Sequence, residues 1–194
     1  EFGQGLEWRY AYGLEWEILE REQHAKMKDF VKDLNHFYKR EKSLYEVDNS
    51  YEGFDFIDPH NESQSIVTLM RKAKDPKEFI IAVLNFTPNV YYDYKIGVPF
   101  LGVYEEVLNS DDDKYWGSNQ TMKNSELHAQ DSNWHNQPYH IKIKVPPMGA
   151  TFIKLKKIYD PIELEDNKVD DTKLKSNTKL KNNKVDNTKT KNKK

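Results

Sequence analysis

Residues 78–119 read EFIIAVLNFTPNVYYDYKIGVPFLGVYEEVLNSDDDKYWGSN, and this stretch decides the fold that the sequence predicts. It begins with the apolar block 79–84, which is too short for a helix of ordinary length and is typical of a buried strand. The polar segment 85–89 ends that strand, because Pro88 has no N–H group to donate to a sheet ladder. The stretch therefore opens with one strand and one turn.

Two more extended runs follow within the same stretch. The first covers 90–98 and ends at Pro99, and the second covers 103–108 and ends in the polar cluster 109–113. Short strands at a spacing of roughly ten residues, with turn signals between them, are typical of an antiparallel β-sandwich or β-barrel.

Further strands are predicted on both sides of this stretch, at 53–58, 64–72, 140–145 and 152–155. The clearest is 140–145, where Ile141, Ile143 and Val145 alternate with lysines, as in a strand with one buried face. Together these runs predict a mainly β chain.

The order of the motifs in this region resembles a known family. NFTP (85–88), YKIGVP (94–99), LNSD (108–111) and GSN (117–119) follow one another at close spacing. This series is similar to the C-terminal domain of bacterial 1,4-alpha-glucan (glycogen) branching enzymes, which belong to the alpha-amylase superfamily. The resemblance covers residues 1 to about 158 and implies an antiparallel C-terminal β-sandwich.

The composition limits what the chain contains. A complete (β/α)8 barrel needs about 250 residues, so it does not fit within 194. No cysteine is present, which excludes disulfides, thiolate metal sites and cysteine nucleophiles. No apolar run approaches the length of a membrane span and no signal peptide is recognisable, so a cytoplasmic protein without a membrane partner is expected.

The first residues, EFGQGLEW (1–8), resemble the family segment that leaves the last barrel strand toward the active-site face. The resemblance implies that this segment lines the glucan cleft, with Trp8 stacking on a sugar ring; the predicted substrate-binding residues are Glu1, Gln4, Glu7 and Trp8. Family members continue with a short polar stretch that begins with asparagine, whereas this chain continues with Arg9-Tyr10-Ala11-Tyr12. Farther along, Trp16 is expected to pack in a core.

Residues 23–40 carry apolar side chains at helical spacing on one face and predict an amphipathic helix. Its stripe includes Met27, Phe30, Leu34 and Phe37, and we expect it to cover the outside of a barrel that this chain lacks. Without that barrel the stripe forms an exposed patch, which predicts self-association or marginal stability. No metal site is expected from the histidines of this helix.

Residues 110–139 lack clear periodicity and predict a long loop. Its large aromatics, Tyr115, Trp116, Trp134 and Tyr139, either pack against the edge of the sandwich, which their usual burial favours, or contact a glucan. The run 111–113 consists of three aspartates, which lack the alternating spacing of an EF-hand calcium loop and predict a solvated turn.

The composition changes after Tyr159. Residues 161–194 contain 10 lysines against 6 acidic residues, and NKVDDTK (167–173) recurs as NKVDNTK (183–189). This polar repeat has little to bury and predicts a disordered tail. It has no aromatic residue for stacking on bases, so nucleic acid is not an expected partner. The predicted organisation is a barrel remnant at 1–47, a β-sandwich at 48–159 and a tail at 160–194.

The resemblance also implies a reaction. Branching enzymes cut an α-1,4-glucan and rejoin the piece through an α-1,6 bond by a retaining double displacement, in which one carboxylate is the nucleophile and a second is the acid. In the family, these carboxylates and a third supporting aspartate precede the EFGQ segment, so no catalytic residue matches here and the chain alone is expected to be inactive.

No metal or cofactor is expected. The expected partners are an α-glucan, such as glycogen or an amylose-like chain, and a missing N-terminal catalytic barrel. The alternative to a branching enzyme is a non-catalytic module that binds α-glucan or is purely structural.

Overall fold

The computed structural model describes residues 1–7 and 10–159, so Trp8 and the predicted tail at 160–194 lie outside the described residues. The described part contains one α-helix, α1 (Glu22–Arg40), and these strands: β1 (Phe54–Asp58), β2 (Ile66–Lys72), β3 (Phe79–Asn85), β4 (Tyr91–Val98), β5 (Gly102–Asn109), β6 (Leu127–His128), β7 (Tyr139–Val145) and β8 (Ala150–Ile158). The predicted helix and the predicted strands are confirmed; β6, which is two residues long, is an addition within the loop.

The strands form two antiparallel sheets. The larger has the order β1-β2-β3-β8-β5-β6, and the smaller consists of β4 and β7. One apolar core lies between them, with Ile81 and Ile153 from the larger sheet packing in the same cluster as Ile96 and Ile143 from the smaller sheet. The mainly β, sandwich-type fold class that the sequence predicts is therefore confirmed.

The larger sheet also has a second covered face. Phe37 of α1 is 2% exposed and packs edge-on against Phe152, with ring centroids 5.5 Å apart. One turn and two turns earlier, Leu34 and Phe30 pack against the same cluster, which includes Ile80 of β3. Helix α1 therefore covers the face of the sheet that points away from the sandwich core.

This packing corrects the prediction that the helix stripe is left uncovered. The partner of Phe30, Leu34 and Phe37 is the sheet of the same chain, whereas Met27, the fourth residue named for the stripe, is exposed. The helix is covered because β3 has apolar side chains on both of its faces, one packing in the sandwich core and the other against α1. A strand that is buried on both faces reads in the sequence as a continuous apolar run. With the stripe covered, the expectation of self-association loses its physical basis.

The end of α1 is fixed to the sheet by a buried carboxylate. Glu41 follows the helix and accepts hydrogen bonds from Lys154 Nζ of β8 at 2.5 Å and from Arg40 Nε at 3.0 Å. Burial alone would raise the pKa of Glu41, but the hydrogen bonds and charges of Lys154 and Arg40 outweigh it and hold the pKa below the ordinary glutamate value. Glu41 therefore stays ionised and joins the helix to the sheet.

We expect Phe37→Ala to lower the free energy of unfolding by about 3–5 kcal/mol, because it removes a buried ring from the helix–sheet contact. Tyr38→Ala is the matched control, since the neighbouring ring is exposed, and it should cost less than about 1 kcal/mol. Urea unfolding of the two variants measures the difference. Equal costs would contradict the packing of α1 on the sheet.

The Glu41 contact predicts a pH-dependent loss of stability. A carboxylate with a lowered folded pKa stabilises the fold above its unfolded pKa, and this contribution disappears as the pH falls through the folded pKa. Glu41→Gln should therefore cost about 2 kcal/mol at pH 7, a typical value for a hydrogen bond to a charged group. The cost should shrink below about pH 4.3, the ordinary glutamate pKa.

Thermal or urea unfolding from pH 7 to pH 3 measures this cost. The exposed Glu52, changed to glutamine, serves as the control and should show little cost at any pH. A cost of Glu41→Gln that is the same at pH 7 and at pH 3 would argue against an ionised Glu41.

Candidate functional site

The N-terminal segment is attached to the start of α1. Phe2 is buried and stacks on Trp16, with ring centroids 5.3 Å apart. The carbonyl oxygen of Phe2 lies 2.9 Å from Nδ1 of His24, and since a carbonyl can only accept, the ring nitrogen donates. Gly3 follows with a φ of +70°, a backbone conformation that favours glycine. Helix α1 therefore determines the course of residues 1–7.

Trp16 itself was expected in a core, and the structure corrects this. It is 57% exposed, because Phe2 covers its ring only in part and no sheet lies over the 3₁₀ turn Trp16–Glu20 that carries it. The average burial of tryptophan, on which the expectation was based, says nothing about a residue in a segment that lies outside the two sheets.

Two side chains hold the segment in a loop. The Gln4 side chain accepts from the backbone N–H of Glu15 at 3.2 Å and donates to the carbonyl of Leu6 at 3.1 Å. The Glu15 carboxylate in turn accepts from the backbone N–H of Leu6 at 3.3 Å. Gln4 therefore uses both ends of its amide to position the segment.

The loop forms one side of an open cleft with a volume of about 940 Å³. Its lining includes Gln4 and Glu7 from the predicted set, together with Tyr10, Tyr12 and Glu15. Glu1, the other described residue of that set, instead lines a neighbouring depression of about 370 Å³ that it shares with Gln4. The cleft combines exposed tyrosine rings with carboxylates, and such a lining offers apolar faces and hydrogen-bond acceptors side by side.

The prediction of a solvated turn at 111–113 agrees with the exposed Asp113 and is wrong for the other two aspartates. Asp111 and Asp112 are buried. Asp111 accepts from the backbone N–H and the hydroxyl of Ser118, and from the backbone N–H of Gln120, each at 2.8 Å. Asp112 pairs with Lys123 Nζ at 2.8 Å. These carboxylates are buried because donors from the following ten residues satisfy them, and sequence patterns do not show such donors.

The same contacts join two of the motifs that carry the family resemblance. LNSD supplies Asp111, and GSN supplies Gly117 and Ser118. A side-chain carbon at Gly117 would lie 2.1 Å from the carbonyl oxygen of Asp111, so only glycine fits there. These two motifs therefore form a single structural unit.

The loop aromatics divide between burial and exposure. Tyr115 is buried, packs against Phe30 and donates to the Asp33 carboxylate at 2.6 Å. Burial and the hydrogen bond to Asp33 raise the pKa of Tyr115 to about 12. Trp116 and Trp134 are 63% and 42% exposed. The favoured expectation of burial is therefore confirmed for Tyr115 and wrong for the two tryptophans, whereas Tyr139 is partly buried and packs against the sandwich core.

Comparison with known proteins agrees with this arrangement. The family described as "Alpha amylase, C-terminal all-beta domain" matches residues 56–156, which run from β1 into β8. The chain belongs to this family. The matched residues contain both sheets, and the family description agrees with their all-β structure.

The chain is also similar to curated proteins that are branching enzymes. It is 48% identical over 155 residues to the 1,4-alpha-glucan branching enzyme GlgB of Halothermothrix orenii. It is 44% identical over 172 residues to GlgB 1 of Clostridium perfringens strain SM101, and 46% identical over 158 residues to GlgB of Francisella philomiragia. These matches cover 79%, 88% and 81% of the chain. The predicted similarity to branching enzymes is confirmed.

The chain spans about a quarter of the length of these relatives, with 24% of each covered. Two assignments therefore stay predictions. One is the glucan cleft formed by Glu1, Gln4, Glu7 and Trp8, and the other is the set of domain limits.

Within residues 1–7 and 10–159, the structure groups no three His, Asp or Glu side chains that could hold a metal ion. The same described residues contain no helix that is both long and apolar enough to span a membrane.

Gln4→Ala should loosen the N-terminal loop without unfolding the all-beta domain. The loss of one hydrogen bond is worth about 1 kcal/mol, so the backbone amide of Glu15, which Gln4 accepts from, should exchange roughly fivefold faster with solvent deuterium. The exposed Glu7, changed to alanine, is the control. Unchanged exchange at Glu15 in Gln4→Ala would show that Gln4 does not hold the loop.

Proposed function

We propose that this chain is the C-terminal part of a glycogen branching enzyme. The observation that carries the proposal is the identity of 44–48% to three branching enzymes, together with membership in the alpha-amylase C-terminal all-beta family. The complete protein would transfer segments of an α-1,4-glucan to the 6-hydroxyl of an acceptor glucan and so form α-1,6 branches. A cytoplasmic location agrees with this role.

The reaction is a retaining double displacement. A carboxylate attacks the sugar and forms a glycosyl-enzyme intermediate, while a carboxylic acid protonates the leaving oxygen; the acceptor hydroxyl then replaces the enzyme carboxylate. Such groups sit at the C-terminal ends of barrel strands. We propose that all of them belong to a catalytic barrel that precedes residue 1, so this chain contributes no catalytic residue.

The N-terminal segment would be the part that meets the glucan. The Glu7 carboxylate is exposed in the cleft and offers acceptors to sugar hydroxyls, whereas the amide of Gln4 is occupied by the loop's own hydrogen bonds. We assign substrate contact to Glu1, Glu7 and Trp8, with Trp8 stacking on a ring, and a positioning role to Gln4. Residues 1–47 would then belong to the end of the barrel, and 48–159 to the β-sandwich beside it.

A second candidate is a free-standing module that binds α-glucan or serves only as structure. One observation favours it, namely that the apolar stripe of α1 is covered by the sheet of the same chain. Residues Glu1–Ile158 form one compact unit. The chain therefore does not need a barrel to bury its helix.

The test compares the 194-residue chain with the longest protein that its reading frame encodes. Both are incubated with amylose, and α-1,6 linkages are counted by proton NMR. We expect branches from the longer protein and none from the chain. Branch formation by the chain alone, or its absence in a longer protein that contains a folded barrel, would contradict the proposal.

Substitutions in the longer protein test the segment. Glu7→Gln and Trp8→Ala should each lower kcat/KM for amylose by roughly tenfold, which corresponds to about 1.4 kcal/mol of lost transition-state binding. Glu52→Gln and Trp116→Ala, which also alter an exposed carboxylate and an exposed tryptophan, are the matched controls. Equal effects on kcat/KM in test and control variants would show that the N-terminal segment does not contact the glucan.

A further inference from the structure

A groove with a volume of about 400 Å³ lies beside the smaller sheet and includes none of the residues predicted for the N-terminal cleft. Tyrosine and tryptophan rings line it together with two amide side chains: Tyr91, Tyr92, Tyr94, Trp134, Asn61 and Gln64. Its volume falls in the range of about 300–1,000 Å³ that is usual for small-ligand sites.

A β-bulge in β4 shapes one wall. The pairing of β4 with β7 shifts between Tyr91 and Tyr94, and the extra residue Asp93 has a φ of +53°. A bulge of this kind redirects the side chains beside it. Tyr92, next to Asp93, is 66% exposed even though it belongs to a strand of the core domain. The strand irregularity therefore presents a tyrosine ring to solvent.

A tight turn shapes the opposite wall. Trp134 and Gln137 exchange backbone hydrogen bonds of 3.0 and 2.8 Å, and the two residues between them have φ values of +47° and +58°. Positive φ at both central positions defines a type I′ turn. A side-chain carbon at Gly97 of β4 would lie 2.2 Å from the carbonyl oxygen of Trp134. Glycine at 97 therefore lets this turn lie directly against the strand.

Trp134 is held in place and yet exposed. Its indole Nε1 donates to the carbonyl of Lys95 at 3.1 Å, and Lys95 Nζ lies 5.1 Å from the ring centroid. These contacts fix the ring while a large part of it stays in contact with solvent. A fixed ring loses little conformational entropy when a ligand stacks on it, which favours binding.

The polar groups of the groove are also fixed. Asn61 Nδ2 lies within 3.1 Å of the Tyr94 hydroxyl and of the Asp58 carboxylate. Burial and the Asp58 charge raise the pKa of Tyr94 to about 12, so the hydroxyl keeps its proton at neutral pH. Burial lowers the pKa of His135, which leaves its imidazole neutral at pH 7.

The lining has little net charge. Asp93 and Lys95 carry opposite charges, and the other lining groups named above are neutral at pH 7. A polyanion such as nucleic acid requires a clear positive excess, which this groove does not offer. Neutral hydroxyl-rich ligands with an apolar ring face suit aromatic rings flanked by amides.

We propose that this groove binds the pyranose rings of a linear α-glucan at a position separate from the N-terminal cleft. Tyr92 and Trp134 stack on the apolar faces of the sugar rings, and the amide nitrogen of Gln64 donates to their hydroxyls, while Asn61 Nδ2 holds the Gln64 oxygen at 3.0 Å. The choice of an α-glucan among saccharides rests on the proposed function. The site holds a glucan chain and performs no chemistry on it.

The test titrates the 194-residue chain with maltoheptaose and follows binding by calorimetry. Trp134→Ala and Tyr92→Ala should each weaken binding about tenfold, which corresponds to about 1.4 kcal/mol. Trp134→Phe retains a ring and should stay within about threefold of the unsubstituted chain. Trp116→Ala, the matched control at another exposed tryptophan, should leave the affinity unchanged.

Gly97→Ala tests the placement of the ring without removing it. It should weaken binding although Trp134 is intact, because the added carbon pushes the turn off β4. Unfolding curves of Tyr92→Ala and Trp134→Ala show whether each variant is folded, which separates loss of binding from loss of fold. Unchanged affinity in folded Trp134→Ala and Tyr92→Ala, or no binding of maltoheptaose by the unsubstituted chain, would overturn the proposal.

The failures of the two proposals are distinguishable. If Trp8→Ala abolishes maltoheptaose binding by the chain and Trp134→Ala does not, the groove is not a glucan site while the proposed function stands. If binding depends on Trp134 and the longer protein forms no branches, the groove is a glucan site and the branching function is wrong.

Discussion

The fold depends on the burial of β3 on both faces. Ile81 and Val83 point into the core between the two sheets, whereas Ile80, one residue out of phase, packs in the cluster under the helix. A strand with apolar side chains on both faces requires a layer on each side. The small sheet of β4 and β7 supplies one layer, and α1 supplies the other. The order of the layers, from the small sheet through the large sheet to the helix, therefore follows from the apolar run 79–84.

Local patterns predicted the elements well, because periodicity and turn residues reflect the backbone directly. The helix and the strands on either side of 78–119 are of this kind. They did not predict the partner of α1, since an apolar stripe does not specify which surface covers it. The buried Asp111 was missed because its donors come from Ser118 and Gln120. The placement of Trp134 depends on Gly97, which belongs to a distant strand.

The two surfaces that we associate with saccharide are built differently. The N-terminal cleft depends on a few hydrogen bonds of Gln4 and Glu15 within an exposed loop. The groove beside the smaller sheet depends on a bulge, a type I′ turn and a glycine, all fixed by the core domain. The sequence indicated the first through family resemblance. For the second it indicated only Trp134, as one of the loop aromatics that either pack or contact a glucan, because the other rings of the groove come from separate segments of the chain.

The attachment of the N-terminal segment has a mechanical consequence. Phe2 and His24 join the segment to the start of α1, and Phe37 and Glu41 join the end of α1 to the large sheet. A helix transmits displacement along its length, because its backbone hydrogen bonds keep it stiff. The packing of α1 on the β-domain therefore sets the direction in which the cleft residues point. Alignment of a substrate would then depend on packing at the far end of the helix, away from every residue that touches the substrate.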